Sequence, residues 1–124
     1  TNQWVLVLFV AGAALVKTFA AGLTMGSGGN GGESNYVLST ATWYYQGFTL
    51  AANGDLAIYL NGSLIETKTG NGLGSTPTSE FSIGCINTNH FVNGNIAVVH
   101  LYNRVLSTAE VLQNYNVQKS RFGL

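Results

Sequence analysis

A chain of 124 residues is one domain's worth, and about 65% of the surface exposed by its unfolded form can be buried, so a core without disulfide or metal staples is within reach. Only 8% of the residues are charged, five basic against five acidic, where about 25% is usual. Lys17, Lys68, Arg104, Lys119 and Arg121 are scattered and make no basic stripe, which argues against nucleic acid as a partner, while a neutral surface does little to oppose association with other protein.

Residues 4–25 form a long apolar run, WVLVLFVAGAALVKTFAAGLTM. Length and hydrophobicity alone allow a membrane helix. Against it stand Lys17 past the middle, the lack of flanking basic clusters, and the β-branched and aromatic start Trp4, Val5, Val7, Phe9 and Val10, which favours strand. No positive leader marks a signal peptide, although a start at Thr1 without an initiator methionine is expected of a processed product or a piece of a longer chain. The run also shares a pattern with a later stretch. Trp4 is followed by Phe9, an AGA turn, an apolar segment over 15–19 and Ala21-Gly22-Leu23; Trp43 is followed by Phe48, Ala52-Asn53-Gly54, an apolar segment over 56–60 and Asn61-Gly62-Ser63-Leu64. Each unit reads strand, tight turn, strand, tight turn. Residues 1–25 are therefore expected to be an N-terminal hairpin, with a membrane or assembly-buried helix as the alternative.

Residues 26–35 open with GSGGNGG and are expected to be a Gly-rich loop; 36–106 should supply the strands of a sandwich, and 107–124 a helix and tail. Within the middle block, 36–38 reads as a short strand. Residues 43–50 read as a strand with Trp43 and Tyr45 on one face, Tyr44 and Phe48 on the other. Asn53-Gly54-Asp55 and Asn61-Gly62 are hairpin turns, because two-residue turns of positive φ favour Asn-Gly, and 56–60 and 63–68 are the strands they join. Residues 69–79, which hold the sole proline, Pro77, form a loop; 81–86 is a strand and 87–90 a polar turn. Cys85, the only cysteine, excludes an internal disulfide and reads as a buried, inert thiol. Residues 96–102 read as a strand buried on both faces, Ile96, Val98, His100 and Tyr102 against Ala97, Val99 and Leu101. Ser107-Thr108-Ala109-Glu110 is a capping box, and Val111, Leu112 and Tyr115 form an apolar stripe at helical spacing, so a helix should run over 108–118.

These elements make the fold class all-β, an antiparallel jelly-roll β-sandwich with one short C-terminal helix. The strings IYLNGSLIE and FSIGCINTNHFVNGNIAVVHLYNRVLSTAEVLQNY resemble the C-terminal half of laminin-G-like, concanavalin A-like jelly-roll domains. The resemblance is carried by Tyr59-Leu60-Asn61-Gly62, Ile83-Gly84, Phe91 with Gly94-Asn95-Ile96, and above all Leu101 to Ser107 (LYNRVLS) with Glu110-Val111; Trp43 matches the tryptophan that opens the hairpin before the Asn-Gly turn. The tail NYNVQKSRFGL resembles those of laminin-G-like proteins encoded by bacteriophages and related viruses. The resemblance implies a two-sheet sandwich that binds carbohydrate or protein surfaces, sitting in viruses on tails, fibres or capsids. Many members bind calcium through an acidic cluster that this sequence lacks. The chain is also shorter than a full domain.

Chemistry is sparse. Glycoside hydrolysis needs two carboxylates about 5–10 Å apart, and Glu33, Asp55, Glu66, Glu80 and Glu110 are isolated along the chain. His100 is expected to be a hydrogen-bonded core histidine. Asn61-Gly62-Ser63 fits a glycosylation sequon, which the hairpin explains first. Trp43, Tyr44 and Tyr45 could stack on sugar faces or fill the core. The ligand-binding candidates are Tyr44, Asn87, Asn89 and His90; no catalytic residue, metal site or cofactor is expected. The expected function is a non-enzymatic structural or decoration protein of a virion, with other copies of itself or other virion proteins as partners. The alternative is a carbohydrate-binding adhesin module that contacts surface glycans. Either role places the chain on a virion or outside the cell, with neither nucleic acid nor membrane as partner. A third reading keeps residues 4–25 as a helix anchoring the domain in a membrane or filament core.

Overall fold

A computed structural model describes the backbone of residues 2–6, 16–18, 23–27, 32–38, 41–51, 55–69, 85–86, 90–91 and 94–124. Its strands are β1 (Asn2–Leu6), β2 (Val16–Thr18), β3 (Leu23–Ser27), β4 (Gly32–Leu38), β5 (Tyr45–Leu50), β6 (Leu56–Leu60), β7 (Ser63–Lys68), β8 (Cys85–Ile86), β9 (His90–Phe91) and β10 (Gly94–Ile96), followed by helix α1 (Thr108–Gln118) and a 3-10 turn, Lys119–Phe122. A five-stranded sheet has the order β10-β1-β5-β6-β7; β2-β3-β4 and β8-β9 form separate ladders.

The described parts of the apolar N-terminal run are strands. No helix among the described residues is long and apolar enough to cross a membrane. The pairing departs from the expected hairpin, however. β1 lies parallel to both β10, with Trp4 opposite Ile96, and β5, with Val5 opposite Tyr45. β2 pairs instead with β3, Val16 opposite Ser27. A strand between two parallel neighbours suits a continuous apolar run, and such a run begins at Trp4. The Gly-rich loop is also shorter than expected. Gly26 and Ser27 close β3 while Gly32 to Asn35 open β4, with Gly26 opposite Glu33 and a bulge between Thr24 and Gly26. Glycine carries ladder hydrogen bonds as any residue does, and it is well suited to a bulge.

The antiparallel meander β5-β6-β7 is the best-packed part of the sheet. β5 begins at Tyr45, two residues later than the aromatic run suggests. The Ala51 N–H donates to the Asp55 carbonyl (2.9 Å) to close the first connection; the expected Asn53-Gly54 turn lies outside the described residues. Asn61 (φ 49°) and Gly62 (φ 79°) make the second turn, both in the left-handed region of a two-residue hairpin, and β7 follows where expected. Directly opposed residues share a face, so the register of Gly47 with Tyr59 and Phe48 with Ile58 places Tyr45, Thr49, Ala57 and Tyr59 on one side and Gln46, Phe48, Ile58 and Leu60 on the other. Residues on both sides are buried.

Two further expectations change. Residues 87–89 lie outside the described residues, but His90 is in β9 opposite Ile86, not in the turn. Of the strand expected at 81–86, only Cys85 and Ile86 fall among the described residues. The strand expected over 96–102 stops at Ile96, and residues 97–102 have no regular structure. Its β10 ladder on β1 ends at Trp4 opposite Ile96, so the alternating apolar pattern of 97–102 does not continue the strand. Ala97 and Leu101 are exposed, while Val98, Val99, His100 and Tyr102 are half-buried.

The helix forms where expected. Ser107, in extended conformation (φ −70°, ψ 159°), caps it. Its Oγ accepts the Glu110 N–H (3.2 Å), and the Glu110 carboxylate accepts the Ser107 N–H (2.8 Å). Val111 is fully buried and Tyr115 half-buried, but Leu112 is exposed; 100° around the helix from Val111, it misses the sheet. Val111 joins Tyr45, Tyr59 and Leu106 in a core cluster against which Trp43, Ala57, Val98, Tyr102, Tyr115, Phe122 and Leu124 pack. The helix therefore covers the Tyr45–Tyr59 side of the meander.

Candidate functional site

The described side chains with binding chemistry gather along α1 and the segments it packs on. Trp43, just before β5, meets Phe122 of the 3-10 turn with ring centroids 5.1 Å apart at 45°. Tyr45 meets Tyr115 at 5.6 Å, a distance at which tilted aromatic pairs attract. Gly123 (φ 67°) turns the chain so that Leu124 folds back against the core cluster. Lys119 Nζ lies 5.5 Å from the Tyr115 ring centre, and the Arg121 guanidinium 5.6 Å from that of Phe122, both within cation–π range.

On another side of the helix, polar groups pair. Asn114 Nδ2 donates to the Tyr102 hydroxyl (3.1 Å), and Gln118 Nε2 to the His100 ring at Nε2 (3.1 Å). His100 is thus hydrogen-bonded as expected, but half-buried and in an irregular segment, not a central strand. The His100 and Tyr102 rings lie edge to face with centroids 6.3 Å apart, and Asn114 and Gln118 are one helical turn apart, which puts them on one side of α1. The same spacing is visible in the sequence, but only knowledge that the two segments meet gives it meaning.

At the helix start, Arg104 grips both oxygens of Glu110 (2.7 and 3.0 Å). This Arg104 hydrogen bond, reinforced by the Ser107 N–H, holds the Glu110 carboxyl down at about 2 and pushes Arg104 up. Glu110 is thus committed to holding the helix start. Tyr45 is the opposite case. Its hydroxyl is buried without a hydrogen-bond partner among the described residues, and burial, with Tyr102 nearby, pushes its pKa up.

Of the residues expected to bind a ligand, Tyr44 is half-buried at the edge of β5 and His90 sits in the β8-β9 ladder, a different sheet; Asn87 and Asn89 lie outside the described residues. The Asn61 sequon is occupied by structure. Asn61 Oδ1 accepts the Tyr45 N–H (3.0 Å), and its own N–H donates to the Tyr45 carbonyl (2.7 Å). Among the described residues no group of three or more His, Cys, Asp and Glu side chains could hold a metal ion. The Trp43–Phe122 pairing was not legible in the sequence, where 79 positions separate the rings (122 − 43).

A laminin-G-type model of the concanavalin A-like lectin/glucanases superfamily matches residues 1–112, from β1 into the first turns of α1. No curated protein and no solved structure matches the chain. The family match spans the five-stranded sheet, the Asn61-Gly62 hairpin and the capped helix start, and the chain belongs to the concanavalin A-like lectin/glucanase superfamily.

Proposed function

We propose that this chain is a non-catalytic jelly-roll sandwich that serves as a structural or decoration protein on a virion surface, assembling with other copies of itself. The observation that carries the reading is exposed apolar surface on a nearly uncharged chain. Leu64, Leu101, Val105, Leu112 and Val117 are 43–73% exposed, while 8% of residues are charged and the net charge is zero. An identical copy meets no electrostatic repulsion, and covering such side chains contributes about 25 cal/mol per Å² buried. β7 ends the five-stranded sheet, and a terminal strand favours pairing with another chain. Two-sided burial of β5 and β6 supports the sandwich. The commitment of Glu110 to Arg104 and the helix cap supports the absence of catalysis.

Size-exclusion chromatography with light scattering tests the reading. A multimer is expected, and Leu112→Asp with Val117→Asp should dissociate it with circular dichroism unchanged. A stable monomer across a concentration series would sink it. The virion placement draws on the likeness of the tail to phage-encoded proteins; immunolabelling of native particles checks it.

A second reading is a carbohydrate-binding adhesin module, favoured by the superfamily and by half-buried Tyr44 beside Trp43. It makes Tyr44, Asn87, Asn89 and His90 the contact residues. A glycan array comparing the unmodified protein with Tyr44→Ala tests it, and no sugar bound by either would dismiss it.

A further inference from the structure

We propose that Asn61-Gly62 is a gated deamidation site, converted to aspartate or isoaspartate only when Tyr115 moves off Gly62. Glycine after asparagine suits this chemistry best, because no Cβ shields the backbone nitrogen that attacks. The Gly62 nitrogen loses its proton to a solvent base and bonds to Asn61 Cγ. Nδ2 leaves as ammonia, and a cyclic imide remains. Water then opens the imide at either carbonyl, so the net change is one water in and one ammonia out. Asn30, Asn53, Asn61, Asn71 and Asn93 each precede a glycine, and the Asn61 step lies in a turn whose geometry bears on the reaction.

The closed hairpin bars ring closure in two ways. Asn61 (φ 49°) and Gly62 (φ 79°) are both left-handed, as the two-residue turn requires, whereas tying Cγ to the next nitrogen forces the Asn61 backbone out of that region. Gly62 is also buried, and a Cβ on it would lie 2.7 Å from Tyr115 Cδ1, so the ring covers the residue whose nitrogen must lose a proton. The Tyr45 N–H acts in the opposite sense. It donates to Asn61 Oδ1 (3.0 Å), and a donor there stabilises the charge that attack places on the oxygen; alone it would hasten the reaction. Conversion records opening because it is irreversible. Aspartate keeps an oxygen for the Tyr45 N–H. Isoaspartate routes the backbone through its side-chain methylene, and a two-residue turn that fixes the β6-β7 register has no room for the added atom.

Peptide mass spectrometry of the full chain, aged in mildly alkaline buffer with and without denaturing urea, tests the gate. Asn61 should convert at least about tenfold more slowly in the native chain than in the unfolded one, equivalent to an opening free energy of about 1.4 kcal/mol or more. In the unfolded chain it should keep pace with Asn30, Asn53, Asn71 and Asn93. The native rate should stay flat in urea below the unfolding transition, because lifting one side chain exposes little surface. Tyr115→Ala, with its helical signal retained, should speed Asn61 conversion several-fold. After removal of urea, isoaspartate at 61 should be depleted from the compact fraction. Equal native and unfolded rates, a slow Asn61 in the unfolded chain, a native rate that climbs in step with global unfolding, or an unchanged rate in folded Tyr115→Ala would each overturn the gate. Isoaspartate spread evenly through the compact fraction would overturn the record of opening. If Tyr115→Ala does not fold, the comparisons on the unmodified chain still decide. The oligomeric state enters none of these readouts, so failure here is distinct from failure of the assembly reading.

Discussion

Gly62→Ala probes the closest approach between the meander and the helix. Gly62 sits at φ 79°, and a Cβ there would lie 2.7 Å from Tyr115 Cδ1 and 3.0 Å from both Cβ and Cγ. The first cost is conformational, about 1–2 kcal/mol for a side chain in the left-handed region. The second is steric. A flexible tip could swing away, but the Tyr115 Cβ is fixed to α1, and the ring is held against Tyr45 at 5.6 Å. Relief therefore requires the helix to shift off a core that contains fully buried Val111. Overpacking of this kind costs about 1–3 kcal/mol.

Together these give about 3 kcal/mol, a large part of the roughly 5–15 kcal/mol that holds a domain together. For a chain of this size the thermal midpoint should fall by roughly 10 °C. Urea unfolding of Gly62→Ala, Tyr115→Ala and the double variant apportions the cost. Tyr115→Ala removes the Cδ1 and Cγ contacts and keeps the 3.0 Å contact to Cβ, so the φ penalty and part of the steric cost should remain, leaving a coupling of about 1 kcal/mol between the sites. Strict additivity would refute the claim that Tyr115 opposes the new methyl, and a loss below about 0.5 kcal/mol would refute the packing as described.

Other perturbations bear on the helix and its neighbours. Ser107→Ala removes the acceptor for the Glu110 N–H and should cost about 1 kcal/mol in denaturant unfolding. Glu110 has a carboxyl lowered from 4.5 to about 2, so its contribution is complete above pH 4.5 and drains away as pH falls towards 2; Glu110→Gln should flatten the thermal midpoint across that window, and an unchanged slope would contradict the Arg104 clamp. Tyr45 has the reverse sign. An unfolded tyrosine ionises near 10 while the buried one resists, so stability is intact below pH 10 and is lost as pH climbs from there. Tyr45→Phe should blunt that alkaline loss and, by removing a buried hydroxyl with no partner among the described residues, stay within about 1 kcal/mol of the parent at pH 7; a loss above about 2 kcal/mol would show that the hydroxyl is bonded after all.

Local chemistry was legible where it alone decides the outcome. The Ser107–Glu110 capping box, the Asn61-Gly62 turn and the bounds of β7 follow from hydrogen bonds and φ angles that neighbouring residues satisfy among themselves. Legibility failed where a distant partner decides. Residues 96–102 alternate like a strand, yet β1 offers ladder partners only as far as Trp4 opposite Ile96. β1 itself looks like half of a hairpin, but its neighbours come from 94–96 and 45–46, which no window of local sequence contains. Tyr44 and His90 were legible as residue types suited to a ligand; that His90 pairs in the β8-β9 ladder while Tyr44 precedes β5 was not.

The stretch that leaves the sheet at Ile96 shows why this loss of information matters for function. Had 97–102 continued as a strand, backbone hydrogen bonds would have fixed it, and its side chains would have been free to vary. Instead, among the described residues, side chains tie it to the helix, His100 to Gln118 and Tyr102 to Asn114, with Leu106 buried against Val111. Those pairs set the rotation of α1. The rotation brings Tyr115 onto Tyr45 and Gly62 and carries the following turn to Trp43, where Phe122 packs. The exposure of Leu112 and Val117 and the pairing of Phe122 with Trp43 are thus consequences of one docking angle. A helix turned by 100°, one residue's worth, would bury Leu112 and separate Phe122 from Trp43, so the proposed assembly surface depends on the polar seam between α1 and residues 100–102.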